Sequence, residues 1–317
     1  MFAKPQLLKR VPLRTFALTE KKISYLVGTP QLQKNTKDVT LRGLRLKGNS
    51  SDLPTLIFFT DVFDTPESWL PFFMNEKHAI LDYRDVYILS PRNFGLSDRC
   101  NDVEEYGEAI AADIERFMYT HKLTSATLGG HGLGAKNAML AATYKSHLVT
   151  GVLAYDYAPQ DYKYFEVAHT YEAIASGLKD IPLEGVARQQ IIGKIDELVQ
   201  SPKLNTLIKN AVKQTGRSTF AWNFNADFVA ENLSCLTEWQ THHGIFTGRS
   251  RFLFPEYSNH VFLGSNTLSM LKICISNHGY GEDIFALRGN SDNPERNHWI
   301  YEEPELAEDF ARYSVDF

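Results

Sequence analysis

A glycine-rich turn between a short apolar strand and a helix constrains the fold of this chain more than any other feature. The predicted strand is Ala126–Gly130 and the predicted helix is Leu133–Tyr144. The pattern G-x-S-x-G places a serine on a strained turn of this kind, with its oxygen exposed above a sheet. In this chain the central position of the pattern is Gly132, flanked by Gly130 and Gly134. The segment therefore predicts a strand–turn–helix unit whose central residue carries no oxygen.

The sequence on both sides of the turn alternates short apolar runs with helical patterns. In one helix, Ile110, Ile114 and Phe117 recur on a single face. Strands that alternate with helices predict a parallel sheet covered on both faces, preceded here by two antiparallel strands. The predicted strands are Ile23–Gly28, Val39–Leu46, Thr55–Thr60, Asp85–Ser90, Ala126–Gly130, Gly151–Tyr155, His260–Leu263 and Ile284–Leu287. The predicted helices of this part are Pro66–His78, Tyr106–His121, Leu133–Tyr144 and Pro304–Tyr313.

Residues 161–239 show helical spacings and no clear strand, as at Ile191, Ile195 and Leu198. We interpret them as a helical cap inserted into a core formed by residues 23–160 and 240–317. Residues 1–22 form a basic N-terminal extension. The predicted fold class is α/β, with a mostly parallel twisted sheet flanked by helices and a helical cap insertion.

Five segments in order, spread over most of the chain, resemble the α/β-hydrolase superfamily, and more narrowly the small abhydrolase acyl-esterases of bacteria and mitochondria. The turn GHGLGAK stands where that group has G-H-S-M-G-G-K. The segments are Leu56–Phe63 (LIFFTDVF, the strand and oxyanion loop), Pro91–Ser97 (PRNFGLS, resembling R-N-H-G-x-S), Ala154–Tyr162 (AYDYAPQDY, resembling D-I-A-P-x-D-Y), Phe220–Asn225 (FAWNFN, resembling F-x-W-R-x-N) and Asn297–Ile300 (NHWI, resembling G-H-W-I).

The resemblance assigns three positions of the expected catalytic site. It places Gly132 at the nucleophile, Asp156 at the acid and His298 at the base. Ser125 and Ser146 are alternative nucleophiles, but neither lies on a strained turn. Since an acyl-transfer hydrolase needs an oxygen or sulfur at the nucleophile position, we interpret Gly132, Asp156 and His298 as vestigial. Asp156 and His298 are then a retained polar contact, or a pair that activates water.

The oxyanion loop, as the resemblance locates it, also departs from the pattern. Thr60, Asp61 and Val62 stand where active relatives have His-Gly and the next backbone N–H. A carboxylate at Asp61 would oppose the negative charge that develops on the substrate oxygen. Alternatively, Asp61 caps the start of the next helix. We expect a degraded oxyanion loop in either case.

Charge and cysteine content exclude several other classes of site. The net charge is −5 and the sequence pI is about 6.1, which disfavours a general nucleic-acid binder. The three cysteines are far apart, with no C-x-x-C pair and hence no zinc signature. We predict no cofactor, no metal and no nucleic-acid partner. No apolar run approaches the roughly 18 residues of a membrane span, so we expect no transmembrane segment.

The N-terminal segment suggests a location and a type of partner. Basic residues alternate with apolar ones in the extension, and the first acid is Glu20. Such leaders are typical of mitochondrial targeting segments, so we expect the matrix or the matrix side of the inner membrane. The alternative is a basic extension that lies on a partner or on the domain itself. We expect contacts with other protein subunits through residues 1–22 and surface insertions near residues 267–297.

Three functions are compatible with these observations. The first is a protein that is not an enzyme but a structural subunit of a mitochondrial complex, such as a respiratory-chain complex, an ATP synthase or a mitoribosome. The second is a module that binds a small molecule or acyl chain in the vestigial cleft. The third is a hydrolase that uses water activated by His298 and Asp156. The absence of a nucleophile at Gly132 favours the first function at this point.

Overall fold

The computed structural model describes residues 23–26, 32–33, 38–101, 105–162, 165–239, 244–261, 264, 283–289, 291–292, 294–315 and 317. Its strands are β1 (Ile23–Leu26), β2 (Leu32–Gln33), β3 (Arg42–Leu46), β4 (Leu56–Phe59), β5 (Val86–Ser90), β6 (Arg99–Cys100), β7 (Ala126–His131), β8 (Val149–Tyr155), β9 (Val212–Gly216), β10 (Thr219–Trp222), β11 (Arg249–Pro255) and β12 (Asp283–Leu287).

The α-helices of the described residues are α1 (Leu70–Phe73), α2 (Ile80–Tyr83), α3 (Tyr106–Thr120), α4 (Leu133–Tyr144), α5 (Glu166–Lys179), α6 (Arg188–Leu198), α7 (Pro202–Ala211), α8 (Ala226–Glu231), α9 (Leu233–Thr237), α10 (Pro294–His298) and α11 (Pro304–Val315). Among the described residues, no helix has the length and hydrophobicity that a bilayer crossing requires.

Eight strands form one sheet in the order β1-β3-β5-β4-β7-β8-β11-β12. The pairs β1–β3 and β3–β5 are antiparallel, and every later pair in this order is parallel. The carboxyl ends of the parallel strands therefore meet at one edge, where ligands bind in open α/β sheets. The predicted fold class is confirmed.

Apolar side chains fill both faces of the sheet. All four residues of β4 are buried, as expected for a central parallel strand. Two hydrophobic clusters cover the sheet. The larger one, on one face, includes the buried stripe of α3 and the apolar surface of α4. On the other face, Trp69 is fully buried, with its ring centroid 4.4 Å from that of Phe58. The central strands, and the turns that follow them, are thereby held rigidly from both sides.

The structure differs from the sequence prediction on the β11 side of the sheet. A strand was predicted at His260–Leu263, whereas the strand before β12 is β11. β11 begins with Arg-Ser-Arg, a polar run that does not have the pattern of a buried strand. Arg251 is nonetheless 96% buried, because its guanidinium lies over the ring of Phe317, 5.1 Å from the centroid. His260 lies outside the strands, in the loop after β11.

Two further predictions need correction. The predicted helix Pro66–His78 is broken into a 3-10 turn at Pro66–Trp69, α1 and a second 3-10 turn at Glu76–His78. Pro71 explains the break, because proline is tolerated only in the first turn of a helix. The cap region was predicted to lack strands, yet β9 and β10 pair there as an antiparallel hairpin. The boundaries at residues 161 and 239 stay predictions.

Replacing Gly134 by alanine is expected to destabilise the fold by about 1–3 kcal/mol, the typical cost of overpacking. An added Cβ there would lie 2.1 Å from the backbone oxygen of Phe59, and a backbone atom of β4 cannot move aside cheaply. The matched control is Gly193→Ala in α6, where nothing lies within 4 Å of the added Cβ. That change should stabilise by up to ~1 kcal/mol through helix propensity. Urea unfolding of both variants would show the opposite signs, and equal effects would contradict the prediction.

Candidate active site

The glycine-rich turn lies at the carboxyl edge of the sheet, between β7 and α4. Gly132 has a φ of +54° and a ψ of −121°, a conformation that suits glycine. Its N–H donates a hydrogen bond to the backbone oxygen of Tyr155, at 3.1 Å. A Cβ added to Gly132 would lie 2.3 Å from Cγ and Oδ1 of Asp61 and 2.5 Å from its Oδ2. The space that a side chain of this turn would fill is therefore occupied by a carboxylate.

Asp61 reaches this position from the loop that follows β4. Its Oδ1 accepts a hydrogen bond from the N–H of Leu133, at 2.6 Å, and its Oδ2 lies 2.9 Å from Nε2 of His298. Asp61 was predicted, as one alternative, to cap the next helix along the chain. It instead places its carboxylate at the N-terminus of α4, where the unpaired N–H groups and the helix dipole favour an anion. The first N–H of α4 is thereby occupied.

Asp156 and His298 come together at the same edge of the sheet. Asp156 directly follows β8 in a left-handed conformation, with φ +49°. Its Oδ2 lies 2.7 Å from Nδ1 of His298, and its Oδ1 accepts a hydrogen bond from the hydroxyl of Ser258 at 2.6 Å. Asn297, the residue before His298, is also held in place, since the Tyr155 hydroxyl donates a hydrogen bond to its backbone oxygen at 2.6 Å. The contacts of Asn297 and His298 thus hold the imidazole beside Asp156.

The imidazole of His298 lies between two carboxylates, with one facing each ring nitrogen. Burial alone would lower the pKa of His298, but the hydrogen bonds and charges of Asp156 and Asp61 raise the pKa to about 9. Burial would raise the pKa of Asp61, yet the hydrogen bond and charge of His298 bring that pKa down to about 2. Burial would also raise the pKa of Asp156, but the hydrogen bonds of His298 and Ser258 and the charge of His298 together lower it. The resting site is an imidazolium with two carboxylates.

The remaining residues of the predicted oxyanion loop lie beside Asp61. Thr60 is fully buried, and its N–H donates to the oxygen of Leu89 at 3.1 Å. Val62 is buried and lines the cavity described below. Of the three loop positions predicted from the sequence, Asp61 is the one whose side chain contacts His298.

Two further histidines lie against His298. The ring of His260 is stacked on it, with centroids 3.6 Å apart and planes 13° apart, and the centroid of His131 lies 4.2 Å away. Burial lowers the pKa of His260 to about 4 and that of His131 to about 3, so both rings are neutral. His131 belongs to the glycine-rich turn, whereas for His260 the sequence gave no signal beyond its residue type.

Two groups in this cluster have the residue types of a metal site. Asp61, His131 and His298 form one group, and Asp156, His260 and His298 form the other. Within each group the candidate ligand atoms all lie within 4.8 Å of one another. Both nitrogens of His298 face carboxylates, however, so a metal ion would have to replace one of those hydrogen bonds. The geometry supports an acid–base unit more directly than a metal centre.

A small apolar cavity of about 50 Å³ opens above Asp61, beneath α5 and α9. Leu133, Leu236 and Val167 contribute apolar walls. Two buried tyrosines, Tyr157 and Tyr171, also line the cavity, and their hydroxyls have no hydrogen-bond partner among the described residues. The cavity therefore offers an apolar space with two hydroxyl groups near a carboxylate. Its lining residues from α5 and α9 come from the region predicted to be a cap.

Comparison with known proteins gives relatives of one superfamily. No family model matches the chain. The chain is 27% identical over 177 residues to the sn-1-specific diacylglycerol lipase ABHD11 of Xenopus tropicalis, covering 54% of this chain and 53% of that protein. It is 23% identical over 277 residues to the mouse (Mus musculus) protein of the same name, covering 84% and 83%. The chain thus spans about half the length of the first relative and most of the second.

Solved structures show the same fold. A marine microorganism esterase superposes with a TM-score of 0.73 at 21% identity, covering 88% of this chain and 98% of that one. The structure of E-2-(acetamidomethylene)succinate hydrolase gives a TM-score of 0.62 at 17% identity, covering 90% and 98%. These likenesses confirm the α/β-hydrolase fold.

The relatives overturn one expectation from the sequence. We expected the chain not to be an enzyme, because Gly132 lacks the oxygen of a nucleophile. That prediction is contradicted by relatives that are named as a lipase, an esterase and a hydrolase. None of these four is named as a structural subunit, so the hydrolase alternative gains support and the subunit interpretation does not. The predicted mitochondrial location stays a prediction, and residues 1–22 lie outside the described residues.

Proposed function

We propose that this chain, a member of the α/β-hydrolase superfamily, hydrolyses carboxylic esters at the site beneath its cap region. The observation that carries the proposal is the position of His298, held between Asp156 and Asp61, two carboxylates that line an apolar cavity. An imidazole fixed by a carboxylate is the arrangement that moves protons in acyl-transfer hydrolases. The names of the relatives, a diacylglycerol lipase and an esterase, support an ester as the substrate.

His298 enters the reaction as an acid. Both of its nitrogens face carboxylates, so both carry protons in the resting site. The Nε2–H side faces Asp61 at the cavity, whereas the Nδ1–H side is held by Asp156. A proton on Nε2 can therefore be given to the alkoxide that leaves the ester. Once that proton is gone, the same nitrogen can accept a proton from water. Asp156 keeps the ring in the orientation that both transfers need.

The size of the cavity limits the acyl group. An engineered cavity of roughly 150 Å³ holds benzene, so a space of about 50 Å³ takes an acyl group of only a few carbons. The apolar walls offer no partner for a charged acyl chain. We therefore propose short, uncharged acyl esters as substrates, with acetyl and butyryl esters ahead of octanoyl esters.

The activity assay uses His298→Ala and p-nitrophenyl acetate. The variant should lose at least about 100-fold in kcat, the lower range for positioned acid–base groups, because no imidazole is left to take a proton from water. His147→Ala is the matched control, because His147 is exposed and lies in the turn at the amino end of β8, whereas the site lies at the carboxyl edge of the sheet. Turnover by His298→Ala equal to that of the wild type would refute the role of His298. A wild-type rate no higher than spontaneous hydrolysis, across acetyl to octanoyl esters, would refute the function.

We also propose that the protein is mitochondrial and contacts other protein subunits, on the sequence features of residues 1–22 and 267–297. Most of these residues lie outside the described part of the chain. Fractionation of cells that express the full chain with a C-terminal tag, followed by native electrophoresis, tests both points. Recovery outside mitochondria would contradict the location, and migration as a monomer would contradict the assembly.

A further inference from the structure

Asp61 places a carboxylate where the elbow of this fold would present its nucleophile. The added Cβ of Gly132 would come within 2.3–2.5 Å of all three carboxyl atoms of Asp61. Carboxylates of Asp and Glu are among the side chains that form covalent intermediates in hydrolases. The carboxylate is also held in place, by Leu133 at Oδ1 and by His298 at Oδ2. The Asp61 carboxylate thus has the position of a nucleophile, is held in place and contacts His298, which carries the proton.

A nucleophile at this place needs donors for the substrate carbonyl oxygen. The N–H of Leu133, at the start of α4, is occupied by Asp61 itself. Tyr157 and Tyr171 line the same cavity, are at least 92% buried, and have hydroxyls without a hydrogen-bond partner among the described residues. Unpaired buried hydroxyls are costly unless something binds them. The carbonyl oxygen of an ester is an acceptor that would satisfy both.

We propose that Asp61 is the nucleophile of this enzyme and that Tyr157 and Tyr171 hold the substrate carbonyl oxygen. The inference rests on the proposed ester hydrolysis and adds its covalent step and its oxyanion donors. The nucleophile has in effect moved from the elbow to the loop after β4, while its position in space is retained. Gly132 is then required, because any side chain there would displace the nucleophile.

The chemistry balances in two steps. An Asp61 oxygen attacks the acyl carbon, and the bond from that carbon to the alkoxy oxygen breaks. His298 gives its Nε2 proton to the departing oxygen, so an alcohol leaves and a mixed anhydride remains on Asp61. In the second step, a water oxygen attacks the acyl carbon, and the bond from that carbon to the Asp61 oxygen breaks. The neutral Nε2 of His298 takes one proton from the water. The acyl group leaves as a carboxylic acid, whose proton goes to solvent, and the Asp61 carboxylate and His298 imidazolium are restored.

His298→Gln allows the intermediate to be trapped. The p-nitrophenolate group leaves without a proton donor, so p-nitrophenyl acetate should still acylate Asp61 in this variant. Hydrolysis of the anhydride lacks its base, so one equivalent of nitrophenol should be released in a burst. Intact-protein mass spectrometry should show one added acetyl group, and peptide mapping should locate it at Asp61. The same measurement on wild type, acid-quenched before steady state, decides the matter if His298→Gln does not fold.

Further variants separate this inference from the proposed function. Asp61→Asn combined with His298→Gln should give no burst and no adduct, whereas exposed Asp52→Asn combined with His298→Gln should keep both. Tyr157→Phe and Tyr171→Phe should each lower kcat by about 100-fold, as loss of an oxyanion donor does. Tyr119→Phe is the matched control, since Tyr119 is exposed on α3.

The outcomes are distinct. Wild-type turnover that depends on His298, without an adduct on Asp61 in either measurement, would refute the nucleophile and leave the hydrolase standing. Turnover that survives in Asp61→Asn would refute it as well. Absence of turnover in the wild type would remove both proposals together. An acetyl group mapped to any residue other than Asp61 would assign the covalent step elsewhere.

Discussion

Replacing Gly132 by serine should destabilise the fold by about 4–8 kcal/mol, instead of simply restoring a familiar nucleophile. Two causes add up. A non-glycine residue at this φ costs about 1–3 kcal/mol. The new side chain would also collide with the Asp61 carboxylate and separate it from His298. Breaking a buried ion pair costs about 3–5 kcal/mol. Urea unfolding of the single variant measures the sum.

The Asp61→Gly background makes the origin of this cost testable. With no carboxylate in the way, Gly132→Ser should cost only the strain of the backbone, about 1–3 kcal/mol. Gly130→Ser is the matched control, because its added Cβ meets backbone atoms of Gly134 and Ala135 at 2.2–2.4 Å, which Asp61→Gly does not relieve. The cost of Gly130→Ser should be the same in both backgrounds. Strict additivity of Asp61→Gly and Gly132→Ser would contradict the assigned cause.

Much of the fold followed from periodicity and turn chemistry. The helix after the turn, Leu133–Tyr144, has the bounds that the sequence predicted, because apolar residues and a glycine turn define it locally. β11 was missed because Arg251 is buried by aromatic rings from the C-terminus, which no local pattern reveals. The break at Pro71 can be predicted from the sequence, because proline is tolerated only in the first turn of a helix.

The site shows the same division between local and long-range information. The family motifs located Asp156, His298 and Asp61, and the structure brings their carboxylates and imidazole within hydrogen-bond distance. The sequence could not show in which direction the Asp61 side chain points. Asp61 was read as an obstacle to the oxyanion, because nothing in the sequence says that its carboxylate fills the space above Gly132. His260 reaches the cavity from the loop after β11 and Tyr171 reaches it from α5, across separations of 38 residues or more from His298.

The second large effect concerns pH. His298 has a folded pKa of about 9, above its unfolded value of 6.5, because two carboxylates favour its charged form more than burial opposes it. A raised pKa of this kind gives stability that is fully present below pH 6.5 and is lost as the pH rises through 9. Stability should therefore fall between pH 6 and pH 9, on the order of 3 kcal/mol. The lowered pKa of Asp61, about 2, adds stability that is lost only as the pH falls from 3.8 through 2.

Comparison with His298→Gln isolates this contribution. Lys136 has a pKa lowered to about 8 by burial, so the folded protein binds fewer protons there than the unfolded chain and stability gains with pH in part of the same window. Because Lys136 is present in both proteins, the difference in unfolding free energy between wild type and His298→Gln cancels it. That difference should shrink steadily from pH 6 to pH 9. A constant difference for His298→Gln would mean that its imidazole is neutral in the folded protein. His298 could then not supply the proton that the first step of ester cleavage requires.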